Sequence, residues 1–334
     1  MDKTRNSAPS VAWTNPNSKR YQVIVVILVC IVAGGVFLYY SNRLWWNEPE
    51  LGLIDLVNGA APKPYIYRVL IPFTVRMLIS IFPGVAVKLT ASLIMFLALV
   101  GFVFSLRYLV KAFWRISIPI DIAVLLSPFV LAPLMIVANH IYDFGILFLF
   151  TLGLALLAHG RFKWFVVLFP FICLAKETAV LLTIFFAIFY VRRLNWRTYL
   201  STLFFQGFIY VTIKVALTFT FRDNPGGNIA YHVSEWLLAL SISPVLLISF
   251  YGVLGIVIAI LVVFYWKDKP LFLRYSVVVI VPILIFLHAI FGIPYELRVF
   301  YEVFPALYLL SIFTIFRFIG IELTAQATVP NAPV

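Results

Sequence analysis

Residues 164–191 read WFVVLFPFICLAKETAVLLTIFFAIFYV, a run of 28 positions that is apolar on both sides of one polar triplet, Lys176-Glu177-Thr178. A charge at the centre of a membrane helix costs about 2.5–3.5 kcal/mol on insertion scales, and charges in such places are usually functional. As one helix the run would extend about 42 Å against a hydrocarbon core of about 30 Å, so length alone permits a single tilted, kinked span. The flanking charges argue otherwise. Arg161 and Lys163 precede the run, Arg192, Arg193 and Arg197 follow it, and cytoplasmic loops carry the excess of Lys and Arg. One crossing would put one of these clusters outside and invert every later basic loop. A broken hairpin, with arms at 164–175 and 178–191 joined near LAKET, keeps all of them inside. Each arm is then only about 18–21 Å long. The tip would stop within the outer half of the membrane, where non-helical backbone is tolerated only if protein buries it or it lines a wet cavity.

The rest of the chain follows the same logic. Hydrophobic residues make up 63% of the sequence and charged residues 11%, with a mean hydropathy of +1.06. A soluble domain needs far less apolar side chain, so the surplus faces lipid. Further basic clusters at Lys3/Arg5/Lys19/Arg20, Arg107/Lys111/Arg115, Lys267/Lys269/Arg274 and Arg317 mark the inner face. With these inside, the apolar runs predict crossings at 21–40, 85–106, 117–138, 144–160, 198–218, 244–266, 275–292 and 299–319. The expected fold class is all-α, a polytopic transmembrane helical bundle of about eight full spans plus the broken hairpin. The segment VLIPFTVRMLISIF, 69–82, is too short to span, carries Arg76 on one side and fits a helix lying along the outer interface. The expected organisation is a disordered cytoplasmic tail at 1–20, one transmembrane domain at 21–319 whose first outer loop covers 41–84, and a second cytoplasmic tail at 320–334. The first apolar run ends in FLYYSNR without a small-residue cleavage site, so it reads as a retained anchor in the cell membrane. The net charge of +12 is explained by the positive-inside pattern rather than by nucleic acid. Cys30 and Cys173 both lie in apolar runs and read as core residues, not as a disulfide or metal site.

This topology sorts the charges. The inner side holds 16 Lys/Arg and four acids, the outer side and hairpin nine Lys/Arg and nine acids. Acids contribute little to orientation, so their outward bias points to a site on that face. Four outward pieces are candidates. The loop WWNEPELGLIDLVNGAAPKPYIYRVLIPF, 45–73, holds Glu48, Glu50, Asp55 and Arg68. ANHIYDFG, 138–145, crowds His140, Tyr142 and Asp143 into a tight turn. LAKET supplies Lys176 and Glu177. GIPYELRVFYEVFP, 292–305, carries Glu296, Arg298 and Glu302. If the last span begins near Tyr295, Arg298 and Glu302 stand four apart on one helix face and can pair. Carboxylates supply a general base or hold a divalent cation such as Mg or Mn, though no ligand spacing here demonstrates a metal. An arginine fork and a nearby lysine suit a phosphate carried by a lipid.

The pattern resembles the GT-C superfamily, polytopic membrane glycosyltransferases that use polyprenyl-phosphate-linked sugars. The likeness lies in a cytoplasmic N-terminus, an acidic first outer loop followed by surface helices, and a remaining bundle of many spans. The strings DLVNGAAPKPYIYRVLIPF (55–73), YDFGILFLF (142–150), LAKETAVLL (174–182) and YELRVFYEVFP (295–305) look similar to bacterial membrane proteins of this type, in which R-E-T is expected where this chain has Lys176-Glu177-Thr178. The resemblance implies an acid in the first outer loop acting as base or metal ligand, Asp55 by position, or else Glu48 or Glu50. The chain lacks the paired D-D or D-E acids that many members carry, and no large extracytoplasmic domain chooses an acceptor.

The leading expectation is thus transfer of a sugar from a lipid-linked donor to a glycan, lipid or protein acceptor. Asp55 serves as base or metal ligand; Asp143 and His140 line the cavity with Tyr142; Arg68, Lys176 and Arg298 hold the phosphate; Glu177 and Glu296 orient those cations or join the metal site. A transporter or flippase of lipid-linked sugar shares broken helices and intramembrane charge, but usually shows two inverted repeats, and none is visible. A polysaccharide polymerase or ligase shares the lipid-linked substrates. A non-catalytic scaffold leaves the outward acids unexplained.

Overall fold

The structure, a computed structural model, describes residues 16, 18–41, 52–131, 134, 140–229, 231–242, 244–294 and 296–325. These are helical, with no strand among them beyond a single bridge between Trp114 and Ala325. The helices are α1 (Lys19–Ser41), α2 (Leu53–Asn58), α3 (Leu70–Ile81), α4 (Val87–Val110), α5 (Ile118–Val130), α6 (Asp143–Ala158), α7 (Phe162–Ala175), α8 (Val180–Tyr190), α9 (Trp196–Thr220), α10 (Val233–Ile242), α11 (Pro244–Val263), α12 (Leu271–Phe291) and α13 (Phe304–Phe318). Four of them, α1, α4, α9 and α12, are long and apolar enough to cross a membrane, and several others are apolar but shorter. The protein is a helical membrane protein.

The run 164–191 is broken at LAKET. Helix α7 ends at Ala175, Lys176 is extended (φ −163°, ψ 145°), and a short 3₁₀ turn, Glu177–Ala179, leads into α8. A continuous helix would hold its two ends about 40 Å apart. Instead the Phe162 and Tyr190 rings meet at 5.2 Å, and Tyr190 Oη donates to the Leu157 carbonyl at 2.7 Å. The two arms splay around α6. A Cβ on Gly153 would lie 3.1 Å from both Ile172 Cδ1 of α7 and Leu182 Cδ1 of α8, so glycine lets both arms close on α6. Gly101 of α4 likewise admits Phe148 of α6, where a Cβ would meet the ring at 2.9 Å. All of α6 except Phe148 and Leu152 is buried, as befits a helix apolar on every side. Helix α9 is the opposite case. Tyr199, Thr202 and Gln206 are buried on one face, while Phe204, Phe208, Val211 and Phe219 stand exposed on the others, the pattern of a wall facing lipid.

Helix ends differ from the sequence reading where proline or a cap decides them. Helix α13 starts at Phe304 rather than near 299 because Pro305 is accepted only in a first turn. Helix α5 stops at Val130, short of the expected 138, and Pro133 follows in the sequence. A helix forms within the expected 69–82 as α3, whereas α2 and α10 were not expected. Helix α2 ends on Gly59 at φ +78°, a left-handed position suited to glycine. Residues 321–325, expected as tail, return to the bundle. Arg115 N donates to Thr324 O at 3.0 Å, and Ile321 and Leu323 pack on the core. The expected tails at 1–15 and 326–334 lie outside the described residues.

One end of the bundle is clamped by a buried ion pair. Arg107 Nε donates to Asp121 Oδ1 at 2.6 Å and Nη2 to Oδ2 at 3.1 Å, Tyr21 Oη donates to Oδ2 at 2.7 Å, and Arg107 Nη1 reaches Gln22 Oε1 at 3.1 Å. Helices α1, α4 and α5 are thereby tied together. Removing one partner of a buried pair leaves an uncompensated charge at a cost of about 3–5 kcal/mol. Asp121→Ala should therefore lower the melting temperature of the purified protein sharply, while Asp268→Ala, at an exposed acid, should leave it unchanged. Equal melting of the two variants would remove the clamp.

Candidate functional site

The opposite end of the bundle collects the charges. Helices α6 and α13 begin there and α7 and α12 end there, while the loops bearing Arg161/Lys163, Lys267/Lys269/Arg274 and Arg317 join the other ends of the same helices. Each side chain is brought in by a local feature. Gly145 lets Ile71 approach α6, since a Cβ would meet Ile71 Cδ1 at 2.8 Å, and this seats the turn 140–143 beside the start of α3. In that turn His140 N donates to Asp143 Oδ2 at 2.8 Å. Arg68 follows a 3₁₀ turn, Tyr65–Tyr67. The hairpin break presents Lys176, Glu177 and Thr178. The segment 296–302 crosses over them before α13.

These pieces join into one network. Arg68 Nη1 donates to Tyr142 Oη at 2.8 Å and Nη2 to Glu177 Oε1 at 3.1 Å, and its guanidinium lies over the Tyr142 and Tyr65 rings at 5.0 and 5.5 Å. His140 stacks on Tyr142 at 5.1 Å. Lys176 Nζ lies 2.7 Å from Glu302 Oε1, which also accepts from Thr178 Oγ1 at 2.5 Å. Arg298 binds Glu296 through Nε at 2.5 Å and Asp143 Oδ1 through Nη1 at 3.2 Å. Tyr210 Oη of α9 donates to the Glu177 carbonyl at 3.2 Å. Glu302 is fully buried and Arg298 and Asp143 nearly so, whereas the Glu177 side chain keeps 32% of its surface. The Arg68–Glu177 edge is thus the open side.

Counting formal charges, three cations (Arg68, Lys176, Arg298) face four carboxylates (Asp143, Glu177, Glu296, Glu302), one carboxylate in excess. Near-neutrality is what lets the cluster exist out of water. In the loops, burial pushes the His140 pKa well down, and Arg298 and Arg68 beside it push the same way, so its ring is neutral. Burial works against the Glu296 charge, but Arg298, the Ile293 N–H and Arg68 together outweigh it and hold that carboxyl below the usual range.

The structure brings together Arg68, His140, Tyr142, Asp143, Lys176, Glu177, Glu296 and Arg298. It also revises the pairing. Arg298 and Glu302 do not pair on one helix face, because α13 begins beyond both; Arg298 turns to Glu296 and Asp143, and Glu302 goes to Lys176. Asp55 sits apart on α2, half-buried. Among the described residues it is the acid of this set whose carboxylate no cation or donor engages. Glu48 and Glu50 lie outside the described residues. No group of three His, Cys, Asp or Glu suited to a metal occurs among the described residues.

Beside the open edge is a cleft lined by Tyr67, Cys173, Glu177, Tyr210, Ile213, Lys214 and Leu217. The sequence reading passed over Lys214, though a lone cation in an apolar run was the signal that had singled out Lys176. No family model matches this chain, and no curated protein or solved structure matches it.

Arg298 neutralises two buried carboxylates at once. Arg298→Met should cost about 3–5 kcal/mol and empty the folded peak in size exclusion. Tyr301→Phe removes a buried hydroxyl without a hydrogen-bond partner and should leave melting unchanged or raise it. A stable Arg298→Met protein would mean that the network does not hold this end together.

Proposed function

We propose that the protein is a membrane glycosyltransferase, moving a sugar from a polyprenyl-phosphate-linked donor to a hydroxyl acceptor at the extracytoplasmic face of the cell membrane, with the basic loops and both termini in the cytoplasm. The observation that carries this reading is the convergence of four distant segments on one charged network at the end of the bundle away from the basic loops. The resemblance to the GT-C superfamily supports the same reading and supplies the donor class.

The chemistry then divides between two kinds of group. Asp55, with no cation holding it among the described residues, takes the proton from the acceptor hydroxyl. That oxygen attacks the anomeric carbon, and the bond from this carbon to the phosphate oxygen breaks. The electron pair leaves with the polyprenyl phosphate, whose growing charge meets Arg68 at the open edge of the network. Fixed cations that match developing charge lower the barrier without reorganising. Arg298 and Lys176, inside the network, position Asp143, Glu296 and Glu302 rather than touching the substrate.

A general base contributes about 10²–10⁴-fold. Asp55→Asn should therefore lower transfer from radiolabelled polyprenyl-phosphate sugars by at least about 10²-fold in membranes where the protein inserts normally. Full activity in Asp55→Asn, Glu48→Gln and Glu50→Gln alike would exclude a base in this loop. Movement of the labelled lipid across the bilayer with no new glycosidic bond would replace the transferase with a transporter.

A further inference from the structure

Every cation of the network already has a carboxylate. Lys214 does not. It sits on α9, six residues before the helix ends at Thr220, and forms no ion pair with a described residue; its Nζ lies over the Tyr67 ring at 4.6 Å. A lysine near a helix end often runs along the apolar surface to reach the interface. This one instead turns into the cleft between α9, α7 and the first outer loop. The walls there are fixed by hydrogen bonds. Tyr67 Oη donates to Asn228 Oδ1 at 2.6 Å and Tyr210 Oη to the Glu177 carbonyl at 3.2 Å. Asn224 Nδ2 ties the loop to the end of α9 by donating to Gly59 O and Ala61 O at 2.9 and 3.0 Å. The remaining lining, Ile213, Leu217 and Cys173, is apolar. Glu177 Oε2 is buried and accepts no hydrogen bond.

The helices that flank the cleft expose apolar side chains outward, Phe171 on α7 and Phe208 and Val211 on α9. What reaches Lys214 from that side comes through hydrocarbon. Lone intramembrane cations are costly and commonly mark substrate pathways. A cation, an apolar floor and an orphaned acceptor in one lateral cleft match a single ligand chemistry: a phosphate on a long hydrocarbon chain, with a hydroxyl-bearing group beyond it.

We infer that this cleft is a lateral entry site for the lipid-linked donor, in which Lys214 binds the lipid phosphate and Glu177 Oε2 accepts a hydroxyl of the attached sugar. This rests on the transferase reading for its choice of donor, and it places phosphate recognition on a residue outside the charged network. Lys214 hands the phosphate toward Arg68, which shares Glu177 with the cleft.

Binding to the purified protein in detergent tests the inference separately from catalysis. The probes are polyprenyl phosphate, unphosphorylated polyprenol, phosphatidylglycerol and inorganic phosphate, and the variants Lys214→Met and Lys214→Arg. Lys214→Met removes an unpaired charge from a lipid-facing helix and is expected to fold. Polyprenyl phosphate should bind the wild type, bind Lys214→Arg within a few-fold, and bind Lys214→Met about 10–100-fold more weakly, with polyprenol insensitive to all three. Unaltered binding to a folded Lys214→Met protein would overturn the inference and leave the transferase reading standing. Absence of polyprenyl phosphate binding to the wild type would remove the lipid-phosphate donor and the inference together. Equal, Lys214-dependent binding of phosphatidylglycerol would make this a bulk phospholipid site, and equally tight binding of inorganic phosphate would exclude a hydrocarbon requirement; either overturns the inference.

Discussion

A charge taken out of water must be matched nearby, and this constraint organises the bundle from both ends. In low dielectric an unmatched carboxylate or ammonium costs several kcal/mol. Arg107 and Asp121 satisfy it between α1, α4 and α5. At the other end Lys176–Glu302, Arg68–Glu177 and Arg298 with Asp143 and Glu296 satisfy it between segments as much as 155 residues apart. The hairpin tip can leave helical geometry because the groups it exposes are received by 296–302 and by Arg68. The break at Lys176 and the late start of α13 are thus two sides of one arrangement.

The network also separates holding from acting. Glu302 and Arg298 are too deeply covered to meet a substrate, while Arg68 and Glu177 lie at the margin of the cleft. Saturated pairs are poor recognition elements, since a ligand must first compete with the existing partner. Groups left unengaged among the described residues, Asp55 and Lys214, are better placed to respond. Both belong to the layer of chain formed by the first outer loop and the end of α9, which Asn224, Asn228 and Gly226 fasten together. At Gly226, φ is +87° and a Cβ would come 2.6 Å from the Lys63 carbonyl, so only glycine lets the two strands of chain approach this closely.

Much of this was legible in the sequence, for a physical reason. Apolar length and basic loops are summed signals, so they located α1, α4, α9, α12 and the shorter α3, and the charge flanks of 164–191 implied its hairpin. The convergence of LAKET with His140–Asp143, Arg68 and Glu296–Arg298 followed from one topology carried through the chain. Partner choice did not follow. Whether Glu302 faces Arg298 or Lys176 depends on whether helix begins near Tyr295 or only at Phe304, and helix ends are decided by single residues. Helix α2 has only six residues, too few for a periodic pattern. Lys214 was averaged into an otherwise apolar run, and nothing local shows which side of α9 meets protein.

Helix α6 packs on α4, which is already made when it emerges, and on α7 and α8, which ribosomes have not yet made. Helices α7 and α8 come later in the chain, and Arg298 follows Asp143 by 155 residues. At about 5–20 residues per second, that interval is roughly 10–30 s. During it Asp143 lacks the Arg298 guanidinium, so the amino-terminal end of α6 has to rest at the headgroups, where water can solvate the acid. Vectorial synthesis therefore sets an order of events: insertion of a greasy core helix first, with burial of its one acidic end waiting on the segment that leads into α13.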